Sequence, residues 1–415
     1  MRASAKLLER HLPPGRRAAE ADGVVEWLDA HGMPDNHDEA WRYTPVEAIV
    51  AALESAAPAP STKPAIDRAL VDELAGDHGG PRLVLVDGVL VPELSDGLDA
   101  IEVTWERSFA AGAGPAHEPA DGFDALSRLA GAGTSVLRLS ADFSPLGPPV
   151  QVVHVGLSGA AVHPRLVVHV APGSAHHLIE TYASLDTGST VNATTELVVG
   201  RDATLTHHRV QVEAPSTVHV GRTHVDQAAG STVRTSSILL GAAIARAAVH
   251  VRFAGPGSSL VVDGLYLPKG EQRHDTVVTV DHAASHCTSA QRFRGVIDDV
   301  ARGSFSGHVI VRQGTVGTDA DQSNRNLLLA PTAQADTRPW LEIFADDVRC
   351  THGATVGRLD DEALLYLRSR GIPLAEARSM LVAAFAAEVV EAMGPVSLRE
   401  RVATAVAAQV GEARS

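Results

Sequence analysis

The sequence predicts a mainly β protein, a parallel β-helix core flanked by N-terminal and C-terminal α-helical regions. Three observations carry that prediction. From about Val150 the chain breaks into short β-branched runs such as LVVHV, TELVVG, TVVTV and HVIV. Between them lie small polar turns of one kind: APGSAH, DTGSTV, GRDATL, AAGSTV and GPGSSL. Their third positions, Gly173, Gly188, Asp202, Gly230 and Gly257, are 15, 14, 28 and 27 residues apart, which gives a unit of about 14 and a repeat of about 28. Finally, no helical segment separates the runs, as a doubly wound parallel sheet would require. Short strands on a fixed turn period are the pattern of coils stacked into a solenoid. A β-sandwich, with a strand roughly every 8–12 residues, is the alternative.

Residues 1–80 read as helical. Ala18 to His31 carries Val24, Val25 and Leu28 at helix spacing and stops at Gly32-Met33-Pro34. A second helical run, Glu39 to Leu53, is broken at Thr44-Pro45, and Ala57 to Pro64 has linker composition. Residues 81–149 form a mixed α/β lead-in, with a hairpin over Arg82–Val91 around Asp87-Gly88 and a short helix over Phe123–Ala130. Residues 150–357 are the β-helix core.

Residues 358–415 return to helix. Leu359–Gly371 has acidic residues first and arginines last, the order that suits the helix dipole. Leu374–Met393 places Leu381, Phe385 and Val389 four apart, as intramolecular core or as a docking face. Ser397 and Glu400 read as a capping box that opens a third helix. Open solenoid ends invite further strand pairing. The helical regions are placed to cap them, or an edge is left open for a partner chain.

Composition excludes several functions. The net charge of -15 argues against nucleic acid and anionic membrane as partners. The three lysines, Lys6, Lys63 and Lys269, do not follow glycine, so there is no phosphate-cradling G-x-x-x-x-G-K loop and no nucleotide is expected on this chain. Two cysteines cannot build a disulfide framework. The chain shows neither a signal-type opening nor a run of 18 apolar residues, so the expectation is a cytoplasmic, reducing compartment.

The candidate site is DDVRCTHGATVG, Asp346 to Gly357. Cys350 and His352, two apart on a strand, share a face, and thiolate with imidazole suits a soft metal or iron–sulfur species. The alternative is a buried thiol beside a solvated histidine. Two ligands do not close a site, so the others must come from elsewhere, most simply a second chain. Cys287, near His282 and His286, reads as a buried strand cysteine or a further ligand. Fifteen of the twenty histidines lie between His154 and His352 and read mostly as polar strand positions. In His176-His177 and His207-His208 the neighbours face opposite sides and cannot chelate one ion. Asp298-Asp299 and Asp319/Asp321 are the carboxylates a β-helix carbohydrate-active enzyme would use. Turn chemistry is the other explanation, and 4% aromatic content is poor for stacking sugars.

The run LEIFADDVRCTHGATVGRLDDEALLYLRSRGI, Leu341 to Ile372, resembles the SufD branch of the SufB/SufD family of iron–sulfur cluster assembly proteins. So do SGHVIVRQGTVGTDADQSNRNLLL, Ser306 to Leu329, the triplet Thr337-Arg338-Pro339, and Trp41-Arg42-Tyr43-Thr44-Pro45. SufB-type members tend to have an E-H-E-A-type sequence where this chain has Cys350-Thr351-His352-Gly353-Ala354-Thr355, which favours the SufD branch. The resemblance implies a right-handed parallel β-helix and a non-enzymatic scaffold. It implies a heterodimer with a SufB-like subunit through the β-helix, and a SufC-like ABC ATPase on the C-terminal helices. It also implies that a nascent iron–sulfur cluster or iron is met at the partner interface by His352 and Cys350. A SufB-like paralogue, or a homo-oligomer with an inert Cys350, is the alternative within the family.

Overall fold

Strands two apart in sequence pair in parallel, and this single rule builds most of the molecule. A computed structural model describes Leu7, His11 and residues 23–58, 66–106, 118–130, 134–140 and 147–409. One sheet stacks Arg165–Val170, Thr190–Val199, Val218–Gln227, Ile244–Phe253, Arg273–His282, Arg302–Val311 and Gln334–Ile343. The other stacks Val150–Gly156, Ala175–Ser184, Thr204–Gln211, Thr232–Leu239, Ser259–Tyr266, Thr288–Ile297, Thr318–Leu328 and Val348–Arg358. The chain alternates between the sheets, so the result is a parallel solenoid of about 8 turns rather than a sandwich. The expected repeat holds: Thr204 pairs with Thr232 and Thr232 with Ser259, 28 and 27 residues on.

The turn residues form two columns, not the single series that spacing implied. Gly173, Asp202, Gly230, Gly257, His286 and Gly317 sit at one corner, all with positive φ, from 55° at Asp202 to 73° at Gly257. Their backbone amides bond the next coil, as in Gly173 N to Arg201 O at 2.8 Å and Gly230 N to Pro256 O at 3.0 Å. Gly188 belongs to the opposite corner with Gly159, Gly270 and Asp299. The left-handed backbone is what selects glycine, and aspartate or histidine in its absence.

Helices cover the outer faces. Val24–His31, the short turn Glu39–Trp41, Val46–Ser55 and Gly122–Ala130 pack Leu28, Trp41, Ile49, Leu53, Phe123 and Leu126 against Ala161, Val218 and Val220 of the first sheet. Leu374–Val390 and Val396–Ala408 pack Val382, Ala386, Val389, Leu398, Val402 and Val406 onto Ile179, Val210, Ile238, Leu265 and Val296 of the second. Arg68–Ala75, capped by Asp67, packs Val71 and Ala75 against Val84, Val86, Val153 and Val155. The helical regions therefore flank the solenoid and leave its last coil uncapped. Gln334–Ile343 and Val348–Arg358 are each the edge strand of their sheet among the described residues.

Three local readings change. Ser397 does not cap its helix: the Val396–Ala408 helix has Pro395 at the cap with no side-chain bond, and Ser397 Oγ instead meets His78 Nδ1 at 2.9 Å. Ala57-Pro58, read as linker, pairs in parallel with Ala160-Ala161, while residues 59–65 and the segment from Ala18 to Asp22 lie outside the described residues. The hairpin at Asp87-Gly88 forms as expected, with Leu85 opposite Leu90. Its first strand, Arg82–Val86, also joins Val150–Gly156 in parallel, so the sheet begins before the change of texture at Val150.

Candidate functional site

Cys350 and His352 lie on the last strand, Val348–Arg358, which pairs on one side only. Cys350 is in register with Ala320 and His352 with Gln322. Both underlying residues are 1% exposed and face inward. The pair therefore continues the inward-facing column of the solenoid at its mouth, where no further coil covers it among the described residues. The column beneath is polar. Gln322 Nε2 donates to Gln291 Oε1 at 2.8 Å, Asn324 Nδ2 to the Tyr266 hydroxyl at 3.0 Å, and Asn326 Nδ2 to Asn324 Oδ1 at 2.7 Å.

The two side chains differ. His352 is exposed. Cys350 is half-buried against Val309, Val311 and Ala320. Burial pushes its thiol above the usual cysteine value, and the Asp319 carboxylate adds to this against a smaller opposing bond from the Ala320 backbone. A raised pKa keeps Cys350 protonated at neutral pH, where a thiol is neither a ligand nor a nucleophile. Alkylation of Cys350 in the isolated chain should keep rising with pH through pH 9. A rate that levels off below pH 8 would contradict this assignment.

The described residues hold no group of three or more His, Cys, Asp or Glu side chains arranged to bind a metal ion. Among those residues, Cys350 and His352 have no third His, Cys, Asp or Glu side chain grouped with them. Cys287 does not join them. It is fully buried just before Thr288–Ile297, its Sγ 3.5 Å from the Gly255 and Ser285 carbonyls, and burial raises its pKa. The carboxylates a glycosidase would need are not assembled. Asp298 and Asp299 form a corner in which Asp299 Oδ2 accepts from Gly270 N at 3.0 Å. Asp319 and Asp321 are exposed, and Asp321 accepts from Thr351 at 2.5 Å.

The edge around the pair carries exposed apolar groups: Ile343, Phe344 at 58% and Val356. Directly after the last strand, Asp361–Ser369 is capped by Asp360 through the Glu362 and Ala363 amides and buries none of its residues. Leu365 and Tyr366 are 67% and 59% exposed. Phe385 and Leu381, by contrast, are partly buried and Val389 fully so, which makes that stripe largely intramolecular core. The Trp41–Pro45 segment docks the N-terminal region: the Arg246 guanidinium lies 3.8 Å over the Trp41 ring, and Thr44 Oγ1 donates to Asp275. Arg338, from the T-R-P triplet, donates to the Glu39 carbonyl at 3.0 Å.

Most of the histidines between His154 and His352 lie on strands, as expected, and most of them are buried. His207 is buried inside the solenoid and bonds Thr235, while its neighbour His208 faces the C-terminal helices and bonds Ser236. Inside, they belong to a charged cluster that sequence reasoning missed. Glu180 accepts from Thr195 Oγ1 at 2.8 Å and from the Tyr182 hydroxyl at 2.7 Å, with His154 and His207 Nε2 each at 3.5 Å. The available signal was parity: in the strand holding HHLIETYAS, Glu180 and Tyr182 share the inward parity of Leu178.

The fold defines a class, a parallel β-solenoid flanked by helices, here with Cys350 and His352 on its edge strand. The chain belongs to the SufB/SufD family. The family model for the SufBD core domain of SUF-system FeS cluster assembly matches residues 153–385. Iron-sulfur cluster assembly protein SufD of Escherichia coli K12 is 32% identical over 93% of this chain and 92% of its own length. A SufBD family protein of Mycobacterium tuberculosis H37Rv is 30% identical over 91% of this chain and 90% of its own length. SufD of Bacillus subtilis 168 is 26% identical over 63% of this chain and 61% of its own. These relatives are named as assembly proteins, not as enzymes. Among the described residues no helix is long and apolar enough to cross a membrane.

Proposed function

We propose that this chain is the SufD-type scaffold of a three-component assembly, pairing with a SufB-like subunit through its last coil and with a SufC-like ATPase through its C-terminal helices. The observation that carries this reading is the edge strand Val348–Arg358, which presents Cys350 and His352 with no further ligand grouped beside them among the described residues. A partner strand added there would bury Val356 and Phe344 and bring its own ligands to the nascent cluster, which is cargo of the assembly. The other edge, Gln334–Ile343, holds Pro339, whose missing N–H weakens it as a strand acceptor.

The ATPase is assigned to Asp361–Ser369 because a helix with no buried residue lacks an intramolecular reason for Leu365 and Tyr366. Two residues link that helix to the last strand. Movement of an ATPase docked on it would pull directly on the strand that carries His352. This supports a coupling in which nucleotide state biases the partner interface between two arrangements.

Co-expression with the SufB-like and SufC-like neighbours tests the reading. The wild-type chain should co-purify with both. Leu365→Asp together with Tyr366→Asp should lose the ATPase but keep the SufB-like subunit, because neither residue is packed in the fold. Phe344→Asp with Val356→Asp should do the reverse. Capture of both partners by both variants would defeat the assignment.

A further inference from the structure

We propose that a cavity between the Asn36–Ala48 segment and the outer face of the first sheet binds a small multivalent oxyanion, a compound bearing phosphate or several carboxylates. The cavity measures about 380 Å³, within the range of small-molecule sites. It lies away from Cys350 and His352, and no part of the proposed function uses it.

Its floor is two columns of side chains that face the same way, two residues apart along the strands. One column runs Arg246, Asp275, Ser304, Asp336. It is largely settled, since Asp275, 5% exposed, accepts from Arg246, Thr44 and Ser304. The other column runs Ile244, Arg273, Arg302, Gln334. Arg273 and Arg302 are direct register partners, so two exposed arginines project from neighbouring positions on adjacent strands. Among the described residues neither has a carboxylate within ion-pair distance. Like charges directly opposite are destabilising, and among the described residues no carboxylate pairs with either.

Arg42 brings a third cation from the roof, engaged among the described residues by an exposed Glu39 contact at 3.9 Å. Against these three stand Glu47, Asp336 and the already neutralised Asp275. In a chain of net charge -15, this is a local excess of positive charge at the solvent-facing side of the cavity. Guanidinium forks match carboxylate and phosphate oxygens in pairs. The start of Val46–Ser55, which has no side-chain cap, opens on the same space and favours the same sign of charge, although the arginines and the cavity carry the inference. Trp41 under Arg246 and Thr44 on Asp275 already hold roof to floor, so the site is preformed.

Titration calorimetry of the full chain with inorganic phosphate and with citrate tests this. At least one probe should bind saturably at millimolar concentration or below, and the preference between them identifies the anion. Arg273→Gln with Arg302→Gln should weaken that binding about tenfold or more, since each loses charge-assisted bonds. The ligand-free melting temperature of this variant should be unchanged or higher. Arg358→Gln, on the last strand, should bind as wild type. If the double variant does not fold, Arg42→Gln decides, and unchanged affinity there overturns the proposal. So does the absence of saturable binding of either probe, or equal binding by the double variant.

Discussion

Replacing Glu180 with alanine should destabilise the chain by about 3–5 kcal/mol, the cost of removing one partner from a buried charged cluster. Glu180 is fully buried, and its carboxylate is the acceptor for Thr195 and Tyr182. Arg209, 5% exposed, lies 4.6 Å over the Tyr182 ring and donates to the Arg222 carbonyl at 3.0 Å. Without Glu180 that guanidinium keeps its burial and loses a main counter-charge. The second acid nearby, Glu213, is engaged by Gln211 at 3.0 Å and His219 at 2.8 Å. Glu180→Gln should cost less, because it keeps an acceptor oxygen and leaves no void. The check is the urea midpoint of each variant; equal midpoints for wild type and Glu180→Ala would refute the account.

The same group sets a pH dependence. Burial by itself would raise the Glu180 pKa, but Arg209 and the contacts from His154 and His207 outweigh it and hold the carboxyl well below its ordinary value. A depressed folded-state pKa contributes stability that is complete above the unfolded value of about 4.3. It is lost as pH falls through the folded value, because the unfolded chain takes the proton first. Wild-type stability should therefore fall more steeply below about pH 4 than that of Glu180→Gln. Parallel curves would sink this.

The solenoid was legible because its causes are local. Left-handed corner residues recur once per coil, and the glycines and Asp202 that fill them are visible in the sequence. The columns were not, because Gly188 and Gly173 differ only in which corner they turn, and that depends on register. Helices at Val46, Asp361 and Leu374 were marked by proline, aspartate and apolar spacing. What they pack against was not marked. The stripe through Phe385 and Val389 and the bare Asp361–Ser369 helix both carry large apolar residues, and the sheet behind the first is what separates them. Glu180 escaped notice because a lone acid in a strand reads as a solvated position until parity is combined with closure of the coil. The cavity of Arg273 and Arg302 is the same case. The two residues are 29 apart in sequence and become neighbours only through register.

Loss of the His352 imidazole should reduce iron–sulfur cluster supply about tenfold or more in cells that depend on this pathway. His352 is exposed, so His352→Ala should leave folding within about 0.5 kcal/mol of wild type and isolate the chemical effect. Cys350→Ala should act more weakly. A thiol binds a metal only as the thiolate, and burial with Asp319 beside it disfavours that state. The ranking follows from where each side chain stands on the strand. Cys350 leans into Val309, Val311 and Ala320, whereas His352 stands clear over Gln322 at the mouth. Cluster-enzyme activity in a complemented strain, with partner capture measured in parallel, separates a lost ligand from a lost interface. Normal supply with His352→Ala would remove this residue from the site. A reversed order, with Cys350→Ala the more severe, would mean that the partner lowers the thiol pKa on docking and that Cys350 is the primary ligand.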